Sequence, residues 1–576
     1  MSLIRTYVRL RRAVSLTDVV VLLAIGSLLY GLVAVGREWQ GSLRPTADID
    51  LSAWALPKYT FFSLTRGLAA YALSLIFTLV YGYIAAYKRK AEKVMLPMLD
   101  ILQSIPVLGF LPSLVLAFVA LFPRSNIGLE LAAVVMMFTG QVWNMTFSFY
   151  NSLKSIPTDL REAGRVYGLN WWQRFTKLEL PYSTIGLVWN SMMSMAGGWF
   201  FLTINEAFVL GNKDFRLPGI GSYMSVAIQQ GNVPAMVYAI IAMTTMIVIV
   251  DQVIWRPIVA WSEKYKFEET EASETAGSFV LDFLQRSNVL KFTRERIWNP
   301  MYSSLSFRLT DGSIAVTARE DSQWSKLVRT TIGWLFSGML LGLLLMGMWK
   351  IFSLLSENSA GDWLTILWSL AATFSRVLMA IVLGTVIMVP VGVAIGMNPK
   401  LSRMLQPVIQ VVASFPAPML FPLVILGLSQ AGIGINTGAI ALMMLGTQWY
   451  ILFNVIAGAM AIPNDLREAA AVNRLGRWTR WQRLILPGIF PALITGWVTA
   501  AGGAWNASIV AEYVHFGDHI LIAKGLGSTI TNATDGGNFG MLAASVLSMT
   551  LTVVFINRLF WKKLYAFAED RFSLNK

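Results

Sequence analysis

Apolar runs approaching the ~20 residues that a helix needs to cross a bilayer begin near Val19, Gly67, Ile105, Leu129, Ile185 and Val233. A second set begins near Ile332, Val377, Val411, Asn436, Ile489 and Met541. Charged residues fall mainly between the runs. The pattern predicts an all-α, polytopic membrane protein of about twelve transmembrane helices, six in each half. The intervals set its orientation. Lys88, Arg89, Lys90 and Lys93 follow the second run, and Arg161, Arg165, Arg174 and Lys177 follow the fourth. In the second half Lys400 and Arg403, then Arg467, Arg474, Arg477, Arg480 and Arg483, then Lys562 and Lys563 take the equivalent places. Basic loops stay in the cytoplasm, so both termini are expected there. Arg5, Arg9, Arg11 and Arg12 precede the first run without a clear small-residue cleavage site, and it reads as a retained span.

Three regions follow: residues 1–261, a cytoplasmic polar connector over 262–328, and residues 329–576. The connector's acidic opening, Glu263 to Glu274, has no apolar face to pack, and Ser306 to Val316 alternates around Asp311-Gly312 in the manner of a small hairpin.

Composition agrees with a lipid environment. Of the 576 residues 55% are hydrophobic and 14% charged, which is too apolar for an ordinary soluble domain. Cysteine is absent and the histidines are His515 and His519 alone, so disulfides and thiolate metal sites are excluded and a metal site is not expected. The net charge of +14 is distributed among the loops, which points to membrane orientation and not to nucleic acid.

Comparing the halves changes the picture most. Ile156-Pro157-Thr158-Asp159-Leu160-Arg161-Glu162-Ala163 recurs as Ile462-Pro463-Asn464-Asp465-Leu466-Arg467-Glu468-Ala469, differing only at Thr158 and Asn464. Trp172 and Trp478, Pro181 and Pro487, Trp199 and Trp505, Glu206 and Glu512, Gly219 and Gly525, and Gly221 and Gly527 keep the same separation of 306 residues. Upstream the offset drifts, with Arg66 answering Arg376 and Ser104-Ile105-Pro106 answering Ser414-Phe415-Pro416. This is a parallel duplication. The octapeptide falls in a loop and predicts a short helix that starts sharply, because Pro157 or Pro463 blocks continuation from upstream. Asp159 with Glu162, and Asp465 with Glu468, are spaced to cap the first free amides reciprocally. The small residues that follow allow another backbone to come close. A short amphipathic helix lying at the lipid surface is the plainer account of one copy; two copies at equivalent depth favour a docking surface.

Here the sequence resembles the permease subunits of binding-protein-dependent ABC importers, whose cytoplasmic signature is Glu-Ala-Ala, three residues, Gly, then Ile/Leu-Pro. The first half reads Glu162-Ala163-Gly164 with Gly168 and Leu180-Pro181; the second reads Glu468-Ala469-Ala470 with Leu486-Pro487. Arg474 stands where the second glycine is expected, and Gly476 comes two residues later. With Arg66 and Arg376 opening the second span of each half, the pattern looks most like the nitrate, sulfonate, taurine and bicarbonate branch. The resemblance implies two tandem six-helix permease repeats with the type I importer fold in a bacterial inner membrane. Two cytoplasmic ATPase subunits would carry ATP and Mg, and an extracytoplasmic binding protein would deliver a small solute, expected to be an anion. No Gly-x-x-x-x-Gly-Lys-Ser/Thr phosphate loop occurs in the sequence, so the chain is expected to be neither an enzyme nor a cofactor carrier. Asp159, Arg161, Glu162, Ala163, Gly168 and Pro181, with Asp465, Arg467, Glu468, Ala469, Gly476 and Pro487, are the implied coupling residues near 157–170 and 463–476.

Polar side chains inside spans face a bundle interior or an aqueous path by default. Gln141, Asn144, Gln448 and Asn454 are therefore pathway candidates, with interhelical hydrogen bonding the alternative. Arg66 and Arg376, expected at the outer span ends, would either draw an anion inward or snorkel to headgroups. Glu206 and Glu512 are expected to serve structural pairing. Trp54, Trp143, Trp255, Trp261, Trp349 and Trp561 read as interfacial anchors, and His515 and His519 as a solvated loop pair. A gradient-driven transporter or channel would suit twelve spans and a repeat equally well.

Overall fold

The computed structural model describes residues 16–572 apart from 45, 211–212, 266–277, 294, 297–322 and 517–518. The anticipated hairpin at 306–316, the arginines before the first span and most of the connector's acidic opening lie outside the described residues.

Each apolar run falls on helix. The first half contains Leu16–Gln40, Leu56–Tyr87, Ile127–Lys154, Leu180–Asn205 and Val233–Val250; the second contains Gln323–Ser356, Ala360–Gly396, Ile435–Met460, Leu486–Ala511 and Phe539–Ile556. Two of the expected spans are bent rather than straight. Eight helices among the described residues are long and apolar enough to cross a membrane, or ten if each of two bent pairs counts once. The runs near Ile105 and Val411 are those bent pairs: Arg89–Ser104 turns by 88° into Leu111–Leu121, and Pro399–Ser414 by 80° into Phe421–Gln430. Pro106 and Pro416 stand at the breaks, where a missing amide and fixed φ end a helix, and short 3-10 turns, Val107–Phe110 and Ala417–Leu420, make the corner. Leu180–Asn205 is not among the helices apolar enough to cross a membrane on composition alone, for a different reason. Its Ser183, Thr184, Ser191, Ser194 and Asn205 are buried against protein, so it need not be oily all round.

Within each half the second, fourth and fifth spans form the packed centre. Glycines set the approach: a Cβ at Gly82 would meet the Phe149 ring at 2.8 Å, and one at Gly392 would meet Val455 at 2.7 Å. The bent pairs cross between halves. The Val107–Phe110 corner packs on Leu486–Ala511 of the second half, and Ala417–Leu420 packs on Leu180–Asn205 of the first. The Val107 amide donates to Asn506 Oδ1 at 2.8 Å, a direct bond between the halves. In the connector, Phe279–Arg286 is capped by Ser278, and Ser287 donates to the buried Asp18 at 2.7 Å, tying it to the first span.

Two pairs of antiparallel four-residue strands interrupt the helical pattern, Ala207–Leu210 with Lys213–Arg216 and Tyr513–Phe516 with His519–Ile522. Both follow the fifth span of their half. His515 and His519 lie on the second hairpin, and His515 is exposed with its ring 5.3 Å from that of Tyr513.

Candidate functional site

The octapeptides form Thr158–Val166 and Asn464–Val472. Pro157 and Pro463 occupy the N-cap positions, and neither helix has a side-chain cap. The expected capping box is therefore corrected. With the proline as N-cap, Asp159 and Asp465 sit two positions inside the place a capping box requires, and they act in the first turn by favourable interaction with the helix dipole. Asp159, Glu162, Asp465 and Glu468 are all exposed, while Ile156 and Ile462 are buried and Gly164 and Ala470 face inward. Val166, Tyr167 and Val472 are more than 80% exposed, which gives each helix an apolar, unpaired end beside its carboxylates.

Arg161 and Arg467 turn back to the span before them. Arg161 Nη2 donates to Leu153 O and Arg467 Nη2 to Ala459 O, each at 2.6 Å. Both bonds satisfy a carbonyl at the end of a span that no helical amide can reach, and they fasten each loop helix to it.

The helix ends differ by one residue type. Gly168 has φ +63°, Leu169 N donates to Gly164 O and Gly168 N to Arg165 O, the left-handed closure of a Schellman motif. In the second copy Leu475 N donates to Ala470 O and Arg474 N to Ala471 O, and Arg474 takes φ 47°, the one non-glycine residue with positive φ among those described. Gly476 does not replace the missing glycine: its φ is −58° and it caps the next short helix, where the first half has Asn170. Then come wide π turns, Phe175–Glu179 and Trp481–Ile485. Pro181 and Pro487, which cannot donate a helical hydrogen bond, follow at the second position of the fifth spans.

Arg66 and Arg376 are not at span ends. Their helices start at Leu56 and Ala360, so both lie well inside, 1% and 8% exposed. Arg66 donates to Glu130 at 2.5 and 2.7 Å, to Glu206 Oε1 at 2.7 Å and to Pro218 O at 2.8 Å. Arg376 donates to Asn436 O and Oδ1 at 3.0 and 2.9 Å, to Glu512 Oε1 at 2.7 Å and to Lys524 O at 2.9 Å. Glu206 also accepts from Ser63 and the Gly221 amide, and Glu512 from Thr373 and the Gly527 amide. A Cβ at Gly219 or Gly525 would collide with the paired carboxylate, which explains the repeated glycines. Neither snorkelling nor an entrance charge describes these arginines. They are the centres of buried clamps.

A cavity of about 170 Å³ lies between the halves. Its wall pairs positions 306 apart: Gly140 with Gly446, Trp143 with Trp449, Gly197 with Gly503. Asn144 of the candidate pathway residues reaches it. Gln141 is buried between Ser74 and Met195, and Gln448 is buried and absent from the wall. Asn454 donates to Tyr450 O within its own helix. Gln103, Gln410, Asn506 and Asn557 line the cavity and were not anticipated, because only the apposition of the two halves decides which helix face becomes wall. Trp143 and Trp561 belong to it too, against the expectation of interfacial anchors, while Trp255 is buried edge-on to Tyr71. A second cavity of about 280 Å³ opens beside the hairpins, and the two corner turns stand between the cavities, Val107 and Ala417 facing one and Leu108 and Met419 the other.

Comparison with known proteins finds one domain matched twice along the chain. Residues 78–254 and 388–560 each match the binding-protein-dependent transport system inner membrane component. The chain is 26% identical over 192 residues to the nitrate import permease protein of Leptolyngbya laminosa, covering 33% of this chain and 65% of that protein. It is 28% identical over 192 residues to the taurine transport system permease protein of Escherichia coli, covering 33% and 64%. With the trimethylamine N-oxide transport system permease protein of Pelagibacter ubique it shares 27% over 270 residues, 46% of this chain and 33% of that one. It thus spans less than two thirds of the length of these relatives. Permeases of this kind carry no ATPase domain and need no cofactor of their own. With two matches that together cover more than half of its length, the chain belongs to the family of binding-protein-dependent transport system inner membrane components, as a multi-pass membrane permease of ABC transport with two copies of the permease domain.

Proposed function

We propose that the chain forms the solute pathway of an ATP-driven importer and couples to two cytoplasmic ATPase subunits through Thr158–Val166 and Asn464–Val472. The observation that carries this is the fastening of both loop helices to cavity-forming spans. Span Ile127–Lys154 holds Leu153, which accepts from Arg161, and also Trp143 and Asn144 on the cavity wall; Ile435–Met460 holds Ala459, which accepts from Arg467, and also Trp449 and Tyr450. About ten residues, or ~15 Å of helix, separate docking point from wall in each case. A push on the loop helix therefore reaches the cavity without an intervening flexible segment. Exposed Asp159, Glu162, Asp465 and Glu468, with Val166 and Val472, supply the charged and apolar contacts that an ATPase cleft would receive.

In this reading the loop helices and both termini are cytoplasmic, residues 1–261 and 329–576 are the two permease repeats, and 262–328 is the connector. An extracytoplasmic binding protein delivers the solute at the hairpin end. The relatives named for nitrate and taurine support a small solute bearing an oxo-acid group, in the class of nitrate, sulfonate, taurine or bicarbonate. The test is ATP-driven uptake into proteoliposomes holding the chain, its cognate ATPase and the binding protein. Glu162→Arg with Glu468→Arg should abolish uptake while the permease still assembles in the membrane. Unchanged uptake would refute the coupling role of these helices, and uptake that needs no ATP but follows an ion gradient would favour a gradient-driven transporter.

A further inference from the structure

The inner cavity has a composition that separates the solute classes left open above. No lysine, arginine, aspartate or glutamate lines it among the described residues. Its apolar wall mixes aliphatic side chains such as Met193, Leu445 and Val498 with many aromatic rings, among them Trp143, Trp449 and Trp561. Its polar wall is made of carboxamides, Gln103, Asn144, Gln410, Asn506 and Asn557, with the hydroxyls of Thr139 and Thr499. Asn506 is committed to the Val107 amide, whereas no described hydrogen bond engages the side chains of Gln103, Asn144 or Gln410. These three present N–H donors and C=O acceptors to the cavity.

A small inorganic anion entering this space would give up its water with no cation to compensate, and that desolvation is what makes an isolated buried charge expensive. Carboxamide donors replace part of the lost hydration. Aromatic faces, negative at the ring centre, oppose an anion and attract a cation or a methylated ammonium centre. A solute that carries its own opposite charge avoids the penalty: its oxygen end can take the amide donors while its cationic end lies against the rings. The second cavity points the same way. Its charged or titratable lining groups among the described residues are Asp214, Asp535, His515 and Tyr513, with no lysine or arginine. Asp214 is neutralised by the adjacent Arg216, and Asp535 accepts from the Tyr513 hydroxyl at 2.9 Å. Neither cavity therefore offers an anion a lysine or arginine in its lining among the described residues.

From the uncharged aromatic and carboxamide wall of the inner cavity we infer that this permease passes a small, net-neutral dipolar organic solute, a zwitterion such as an amino sulfonate or an amine oxide, in preference to an inorganic anion. This rests on the importer reading, since it takes the inner cavity as part of the solute pathway, and it narrows the solute class within it.

The experiment is a binding titration on the full chain in nanodiscs, with taurine, trimethylamine N-oxide and sodium nitrate as separate probes, read by calorimetry. The dipolar probes should bind at least about ten-fold more tightly than nitrate, a difference of one decade in dissociation constant. Trp449→Leu should weaken both dipolar probes by about ten-fold, in keeping with the loss of a ring–cation contact. Gln410→Arg, or Gln103→Lys if the first variant does not fold, should bring nitrate to at least parity by placing a cation in the wall. Equal or tighter binding of nitrate to the unsubstituted chain overturns the inference, as does no detectable binding of either dipolar probe, or a selectivity that these cavity variants leave unmoved. Such results would leave the coupling reading intact. Loss of that reading would instead appear as uptake indifferent to the Glu162→Arg and Glu468→Arg pair.

Discussion

Replacing Arg66 by methionine tests whether the buried clamps hold the spans in place. The side chain keeps its approximate length and apolar stem but loses four hydrogen bonds, two to Glu130, one to Glu206 and one to Pro218 O. Glu130 and Glu206 are each 0% exposed, so neither can recover its hydration. Removing one partner of a buried ion pair in this way costs about 3–5 kcal/mol. Glu130→Gln should behave differently. It keeps an acceptor for Arg66 and leaves the Glu206 pair, and the second half already has a carboxamide, Asn436, at the equivalent place. Exchanging a charge-assisted hydrogen bond for a neutral one costs about 1 kcal/mol. Because large membrane proteins unfold irreversibly, the assay is the half-life of the monodisperse detergent-solubilised chain at fixed temperature, followed by size-exclusion chromatography. Arg66→Met should lose monodispersity fastest, with Glu130→Gln close to the unsubstituted chain. If Arg66→Met is as durable as the unsubstituted chain, or if Glu130→Gln is as damaging as Arg66→Met, the clamp does not carry the stability assigned to it.

Two further outcomes follow from local geometry. Arg474→Gly relieves a left-handed backbone that costs a side-chain-bearing residue about 1–2 kcal/mol, less the ~0.5–1 kcal/mol of added chain entropy that glycine brings to the unfolded state. Amides of Asn464–Val472 should therefore exchange about two- to five-fold more slowly with deuterium, and unchanged or faster exchange would contradict this account of the helix end. At the hairpin end, burial holds the Asp535 carboxyl above its ordinary value, although the Tyr513 hydroxyl works against that, and the same contact with burial pushes Tyr513 up to about 12. A carboxyl raised in the folded state contributes stability that is complete below the unfolded value of about 3.9 and is lost as pH rises through the native one. Asp535→Asn should thus flatten the decline of thermal stability above that value, and an unaltered pH profile would remove Asp535 from the explanation.

The large features were legible because they repeat or persist along the chain. The paired octapeptides, the basic loops and the matched Glu206–Gly221 and Glu512–Gly527 spacings needed no knowledge of helix rotation. What could not be read depended on small angular choices. Gln141 and Asn144 are three residues apart on one helix, yet the first turns to Ser74 and Met195 and the second to the cavity, because the wall exists only once Ile127–Lys154 meets the other half. Pro106 and Pro416 fall within apolar runs that read as continuous spans, and such a run does not reveal that the chain turns there by 88° and 80°. The arginines misled for a related reason. Their carboxylate partners lie 64 to 140 residues away, and a lone charge near a span end reads as a surface group until those partners arrive.

Most wall positions of the inner cavity answer one another across the halves, but Asn144 faces the counterpart Tyr450, and Phe200 the counterpart Asn506. A homodimer would be obliged to display each of these groups twice, and a solute inside it would have two seats of equal energy related by the two-fold axis. Joining both copies in one polypeptide lifts that degeneracy. The chamber acquires a left and a right, so an unsymmetrical molecule has one favoured way round.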